Sequence, residues 1–82
     1  MLGAFVYVKI REDVPVSVLE IAQSIAKIKD VSEVMLTSGE WPIIVKINYE
    51  TMTDLSNFVV SELSKIRGVG KTDTVVILDQ IK

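Results

Sequence analysis

The 82-residue chain is long enough for one small domain, and at that size a single core is only marginally stabilising, so association is expected. Hydrophobic residues make up 49% of the sequence, and part of this apolar surface is expected in an interface. The absence of Cys and His excludes disulfides, thiolate or imidazole catalysis and zinc sites, and a net charge of −2 without a basic cluster argues against nucleic-acid binding.

The N-terminal residues carry no targeting signal. Met1 to Ile10 lacks a basic n-region, and its apolar run stops at Lys9, which excludes a signal peptide and a membrane span. We therefore expect a cytoplasmic protein, and the composition assigns no cofactor and no metal to it.

The first two predicted elements are a strand and an amphipathic helix. Residues 4–10 alternate small or branched apolar side chains with Phe5, Tyr7 and Lys9, which is typical of a strand with one purely apolar face. After a polar break, Ser17 to Ile28 repeats apolar residues at spacings of three and four and predicts a helix that buries one stripe.

The centre of the chain predicts a hairpin. Two short runs rich in β-branched residues, about 32–37 and 43–49, are typical of strands, and Thr37-Ser38-Gly39-Glu40-Trp41-Pro42 joins them. This connection holds the chain's only Trp, a Gly free to adopt a positive φ, a carboxylate and two hydroxyls. It is therefore the densest group of potential ligand contacts.

A second helix and a fourth strand complete the chain. Thr51 and Asp54 have the spacing of a capping box, and Gly68 is placed to end the helix in a left-handed conformation. Residues 71–78 form the last predicted strand, and 79–82 form a polar tail.

Two stretches of the chain repeat each other. Val8-Lys9-Ile10 recurs as Val45-Lys46-Ile47, and residues 27–31 recur as 65–69 at nearly the same offset. The repeat predicts two β-α-β units, which right-handed crossovers combine into a ferredoxin-like βαββαβ fold of the α+β class. The expected antiparallel sheet has four strands in the order 4-1-3-2, with two helices on one face.

The opposite face of the sheet is expected to be apolar and uncovered. The alternation in the strands assigns to it Phe5, Tyr7, Lys9, Met35, Ile44, Lys46, Thr74, Val76 and Leu78. Such a patch is unusual in a monomer, whereas a second sheet packed on it forms an ordinary sandwich core. We therefore predict a homodimer made by sheet-to-sheet packing, with all of these residues except Thr74 in the interface.

Two motifs carry a resemblance to a known family. Ser38-Gly39-Glu40-Trp41 leads into an apolar strand, as in a Thr-Gly-acidic-aromatic-Asp turn, and residues 66–74 join helix to strand with alternating hydroxyl residues. In this order they resemble the ligand-binding domain of the Lrp/AsnC transcription regulators, also called the regulation of amino acid metabolism (RAM) domain. The resemblance covers nearly the whole chain.

The resemblance implies a domain that dimerises, often forms rings of dimers such as octamers or decamers, and binds amino acids or related effectors between dimers. The ligand-binding residues implied by its glycine turn and last strand are Ser38, Gly39, Glu40, Trp41, Thr72, Asp73 and Thr74. N–H and hydroxyl groups suit a carboxylate, whereas Glu40 or Asp73 suits an ammonium group.

Two departures from the family pattern bear on function. Pro42 occupies the position of the family's usual Asp, and the chain has no room for the helix-turn-helix with which full-length members bind DNA. We therefore expect a single domain over residues 1–82 that regulates transcription indirectly. It would co-assemble with full-length Lrp/AsnC-type regulators or compete for their effector, without direct contact with nucleic acid or membrane.

Other interpretations of these residues stay open. The same turn and strand residues suit a purely structural interaction module with a vestigial pocket. A base-stacking sheet would need aromatics on both central strands, but strand three offers Ile44 and Lys46. Lys9 and Lys46 either face each other as an anion site or reach solvent separately. Without His, a metal cluster or a phosphate-binding loop, no catalytic residue is assigned and an enzyme is not expected.

Overall fold

The computed structural model describes residues 2–82, which form a four-stranded antiparallel sheet with the helices packed on one face. The elements in chain order are β1 (Leu2–Ile10), α1 (Val18–Ala26), β2 (Val31–Leu36), β3 (Ile43–Tyr49), α2 (Met52–Asn57) with a π-helical continuation (Phe58–Leu63), and β4 (Val69–Val76). The strand order β2-β3-β1-β4 is the predicted order read from the other edge, so the ferredoxin-like fold is confirmed. Met1, the first residue of the predicted domain, lies outside the described residues.

Side-chain caps fix where both helices begin. The hydroxyl of Ser17 accepts the N–H of Glu20 (3.1 Å) at the start of α1. At α2, Thr51 and Asp54 each accept the other's backbone N–H, at 3.1 and 3.2 Å, which confirms the capping box. Among the helices of residues 2–82, none is long and apolar enough to cross a membrane.

The core lies between the sheet and the helices. The inward-facing side chains of the two central strands alternate strictly with outward ones and are almost fully buried. They pack against the apolar stripes of the helices, and together the core comprises Ala4, Val6, Val8, Ile43, Val45, Ile47, Tyr49, Ile21, Ala22, Ile25, Leu55, Phe58, Leu63 and Val69. Full burial of one such Val, Ile or Leu stabilises the fold by about 1.5–3 kcal/mol.

Each edge strand contains one extra residue relative to its neighbour. In β2 the extra residue is Ser32, whose hydroxyl donates to the carbonyl of Lys46 (3.1 Å). In β4 the pairing of Val69 with Ile10 and of Thr72 with Val8 leaves two residues of β4 opposite one of β1. Both irregularities are β-bulges.

The predicted faces of β4 were wrong. Thr74 is opposite Val6 and Val76 is opposite Ala4, so both lie on the helix-covered face, where Val76 packs against the core. Leu78 follows the end of β4 and is 95% exposed. The prediction failed because the run from residue 75 to 78 is apolar at every position and therefore contains no alternation.

The residues that β4 does contribute to the uncovered face are Asp73 and Val75. They are opposite Tyr7 and Phe5 of β1, respectively. We call this surface the open face; its other members are Glu33 and Met35 of β2, Ile44 and Lys46 of β3, and Phe5, Tyr7 and Lys9 of β1.

Candidate functional site

The hairpin between β2 and β3 is held in shape by Thr37. Its backbone N–H donates to the carbonyl of Pro42 (2.9 Å), and its hydroxyl donates to the carbonyl of Trp41 (2.6 Å). The same hydroxyl accepts the N–H of Gly39 at 3.3 Å. Because this last bond is long, the Gly39 amide is only weakly engaged within the turn.

Gly39 does not use the positive φ that its sequence position suggested. Among the described residues only Gly68 has a positive φ, of 97°. A Cβ placed on Gly39 would meet only the Thr37 hydroxyl oxygen, at 3.8 Å, which is ordinary van der Waals contact. The turn therefore leaves room beside Gly39, and its shape depends on Thr37 rather than on a special glycine conformation.

Two side chains of the turn contact the open face. The Trp41 ring lies 6.3 Å from the Tyr7 ring between centroids, at an interplanar angle of 38°. Lys9 Nζ lies 4.6 Å from the centroid of the Trp41 ring and 3.0 Å from Oε1 of Glu40. The end of β1 and the turn thus form one cluster, the hairpin cluster, made of Tyr7, Lys9, Glu40 and Trp41.

The predicted ligand-binding residues of β4 divide between the two faces of the sheet. Asp73 lies on the open face beside Tyr7, whereas Thr72 and Thr74 are opposite Val8 and Val6 on the helix-covered face. Thr74 lines a small apolar cavity of about 240 Å³ formed with α2 and its π-helical continuation. The structure therefore brings Asp73 to the side of the hairpin cluster but not Thr72 or Thr74.

Neither of the two main cavities among residues 2–82 is lined by the hairpin cluster. Ser38 and Glu40 are exposed, and Gly39 is also at the surface of the turn. A cleft of about 860 Å³ lies instead at the opposite end of the sheet, between the α1–β2 turn and α2. A ligand at the hairpin would need walls supplied by another subunit.

The two lysines of the open face do not form a cationic pair. Lys46 is opposite Phe5, four residues from Lys9 along β1, a separation of about 13 Å at the rise of a strand. Lys46 Nζ lies 4.0 Å from Glu33 Oε2 and 5.9 Å from the centroid of the Phe5 ring. Each lysine is therefore paired with its own glutamate and aromatic ring.

The sequence pattern did not assign Asp73, Val75 or Glu33 to the open face. Gly70, within the β4 bulge, is the one available signal, since an isolated glycine in a strand often marks such an irregularity. Glu33 follows the corresponding bulge of β2. This bulge likewise changes which residues face outward, and the sequence shows no sign of it.

Comparison with known proteins agrees with the fold and with the family resemblance. The family model described as the Lrp/AsnC ligand binding domain matches residues 3–82. An uncharacterized HTH-type transcriptional regulator of Pyrococcus furiosus is 37% identical over 79 residues, which are 96% of this chain and 53% of that protein. The chain thus spans about half the length of the curated relatives it matches.

Solved structures of other proteins have the same fold as this chain. A transcriptional regulator of Neisseria meningitidis, solved as an L-Met complex, superposes with a TM-score of 0.86 and is 26% identical, over 99% of this chain and 52% of that one. A Thermus thermophilus protein superposes with a TM-score of 0.89 over 100% of this chain and 99% of that one; at 22% identity it supports the fold alone. From the family match over nearly its whole length, we conclude that this chain belongs to the Lrp/AsnC ligand-binding domains of transcription regulators.

Proposed function

We propose that this domain is a small-molecule effector-binding and oligomerisation module, with a ligand of the amino-acid type bound where subunits meet. The observation that carries the proposal is the open face, which has an apolar centre, is covered by no element of residues 2–82, and is continuous with the hairpin cluster. Within it Met35 and Val75 are 39% and 43% exposed. A second subunit would bury this surface and supply the missing walls of the site.

The dimer of this proposal forms by packing of two open faces. Phe5, Tyr7, Met35, Ile44 and Val75 supply its apolar centre, and the two Lys–Glu pairs lie toward its rim. Apolar faces packed in this way form a sandwich core about 10 Å thick. We also propose that such dimers assemble into rings, as octamers or decamers.

The ligand contacts of this proposal come from the turn and from β4. The Gly39 N–H and the Ser38 hydroxyl supply donors for a carboxylate, and Asp73 and Glu40 supply anionic groups. Thr72 and Thr74 take part only through a neighbouring subunit or through backbone groups, because their side chains lie on the other face. The L-Met complex of the Neisseria regulator supports an amino-acid-type ligand for this fold.

Regulation by these residues is indirect in our proposal. The elements described for residues 2–82 are all used in the βαββαβ fold, and none of them forms a helix-turn-helix. The module would act on transcription by co-assembling with full-length Lrp/AsnC-type regulators, or by competing for their effector.

The test combines solution mass with calorimetric titration. Sedimentation velocity with and without a panel of amino acids and their analogues should show a dimer or ring whose size or stability responds to one ligand. Gly39→Val should weaken that binding, because its side chain would fill the space beside the turn amide. A cooperative urea unfolding transition of the variant would show that it is still folded. A fixed assembly that binds none of the compounds contradicts the effector role.

Pro42 favours a second candidate, a structural interaction module whose pocket no longer binds a ligand. The ring of Pro42 replaces the carboxylate of the family's usual Asp, which removes one acceptor for an ammonium group. If the pocket is functional, Pro42→Asp should change ligand preference. If it is vestigial, the substitution should change stability alone.

A further inference from the structure

The cleft at the end of the sheet away from the hairpin is strongly acidic. It lies between the α1–β2 turn and α2, and its volume of about 860 Å³ suits a small organic molecule. Its charged lining residues are one lysine and four carboxylates, all exposed to solvent: Lys29, Asp30, Glu50, Asp54 and Glu62. We call this site the acidic cleft. The excess of negative charge favours a cationic ligand.

A buried hydroxyl group in the wall of the acidic cleft has no partner. Tyr49 is the last residue of β3, is 5% exposed, and faces the helix layer in which the cleft lies. Its hydroxyl oxygen is shielded from water and makes no hydrogen bond to any other atom of residues 2–82. Because buried polar groups are nearly always hydrogen-bonded, this group is a candidate ligand contact. An N–H donated from a molecule in the cleft would supply the missing partner.

Two aromatic rings form the apolar floor of the acidic cleft. Tyr49 and Phe58 both line it, and both belong to the core, at 5% and 2% exposed, beneath the exposed carboxylates. A buried aromatic floor with a rim of carboxylates suits a molecule in which methylene groups alternate with ammonium groups. The face of an aromatic ring also attracts ammonium groups directly.

The carboxylates of the acidic cleft do not converge on one point. Among residues 2–82, no group of three or more acidic side chains is arranged to hold a metal ion. Asp54 and Glu62 are eight residues apart on one helical segment, on the order of 10 Å along its axis. Ammonium groups separated by several methylene groups match this spacing. Glu62 also belongs to the π-helical continuation of α2, a conformation that is frequent at functional sites.

We propose that the acidic cleft binds a small linear polyamine. Its ammonium groups pair with carboxylates of the rim, one N–H is donated to the Tyr49 hydroxyl, and the methylene groups pack on the two aromatic rings. An α-amino acid is a poor ligand here, because its carboxylate would face four carboxylates and a single lysine. The polyamine site is therefore separate from the proposed effector site at the hairpin and does not depend on it.

Calorimetric titration with linear amines tests the ligand class. Spermidine, with three ammonium groups, should bind at least about tenfold more tightly than the diamine putrescine, because it reaches carboxylates at both ends of the cleft. An equal concentration of Mg²⁺ should leave most of the spermidine bound. No binding of spermidine, or equal binding of the two amines, overturns the proposal. Tighter binding of the peptide trilysine than of spermidine overturns it in favour of a basic segment of a protein.

Two variants test the assignment to the acidic cleft. Tyr49→Phe removes only the unpartnered hydroxyl and should weaken spermidine binding about tenfold, because a hydrogen bond to a charged donor is lost. Glu62→Gln removes one carboxylate of the rim and should also weaken binding. Asp54 is left unchanged because its carboxylate belongs to the capping box. Glu12→Gln is the matched control, since Glu12 is equally acidic and exposed but lines neither cavity, and its affinity should equal that of the wild type.

Urea unfolding shows whether each variant is folded. Tyr49→Phe breaks no hydrogen bond within residues 2–82, so it should unfold at a urea concentration no lower than the wild type does. Unchanged spermidine binding in folded Tyr49→Phe and Glu62→Gln overturns the site. An equal loss in Glu12→Gln and Glu62→Gln also overturns it, because general attraction of cations to an acidic protein would then explain the binding.

Discussion

At Gly68 the backbone adopts a conformation that only glycine accepts easily. Its φ is 97°, and a Cβ at this position would lie 2.6 Å from Cδ1 of Ile21, which is buried in the core. We predict that Gly68→Ala lowers the free energy of unfolding by about 2 kcal/mol, from backbone strain and displacement of Ile21. Urea unfolding of the variant measures this loss.

Gly39→Ala is the matched control for that prediction. Gly39 lacks a positive φ, and its Cβ would make only an ordinary contact with Thr37, so the variant should unfold within about 0.5 kcal/mol of the wild type. Equal losses at the two glycines would show that the left-handed conformation of Gly68 has no energetic role.

The loop after β1 contains a pH-dependent ion pair. The Arg11 guanidinium donates to both carboxylate oxygens of Asp13, at 3.1 and 2.7 Å, and these hydrogen bonds lower the pKa of the Asp13 carboxyl below its ordinary value. A lowered folded-state pKa stabilises the fold above the unfolded-state pKa, and this contribution is lost as pH falls through the folded-state pKa.

We therefore predict that Asp13→Asn lowers the urea midpoint slightly at neutral pH and that the difference from wild type disappears in acid. Because the pair is at the surface, added salt should also reduce the difference. Glu12→Gln removes the neighbouring carboxylate and is the control. A difference that persists in strongly acidic solution, where the Asp13 carboxyl is protonated in the folded protein, would contradict this origin.

At the level of elements, β4 offers the sharpest test of the structure. Val75 and Val76 are adjacent and chemically identical, yet Val75 is opposite Phe5 on the open face and Val76 packs against the core. We predict that Val76→Asp destabilises the fold by about 2 kcal/mol or more, because it places a carboxylate against apolar side chains. Val75→Asp should leave the fold intact and weaken association.

Circular dichroism and sedimentation velocity separate the two effects. A folded Val75→Asp protein that sediments as a smaller species supports the open face as the dimer surface. If the two variants behave in the reverse way, the register of β4 against β1 is wrong.

The capping box of α2 carries a second prediction for an element. The first four N–H groups of any helix have no partner within the helix, and the Thr51 hydroxyl satisfies that of Asp54. Thr51→Ala should cost about 1 kcal/mol in urea unfolding. Thr53→Ala, in the same first turn and exposed, is the control and should cost much less.

For the whole molecule, the sequence predicted the fold because its local signals agreed with one another. The caps, the inward alternation of β1 and β3 and the repeated half all favour one topology, and the structure has that topology. The sequence also predicted that Glu40 and Trp41 lie in the connection between β2 and β3, and the structure has them there. Contacts between distant residues, such as Lys9 with Glu40, depend on strand register and rotamers, which no local pattern encodes.

The two faces of β4 could not be predicted from the sequence. A one-residue bulge changes which residues face inward, and the continuous apolar run after Thr74 shows no alternation that would reveal it. The assignment of Asp73 to the open face therefore needed the structure.

The proposed assembly gives a prediction for overall stability. If a second subunit covers the open face, folding and association are linked, so the thermal midpoint should rise with protein concentration. Calorimetric scans over a hundredfold concentration range test this, with Val75→Asp as the variant in which the dependence should be weaker. A midpoint independent of concentration in the wild type would contradict linked dimerisation.

The bulges of β2 and β4 also bear on how the protein resists aggregation. Both strands lie at the edges of the sheet, and a regular edge offers unpaired backbone groups to any other extended chain. The extra residue in each strand interrupts that regular row, at Ser32 in β2 and between Val69 and Thr72 in β4. Growth into a continuous cross-β ribbon is thereby disfavoured at both edges, and closed, finite complexes are favoured over fibrils.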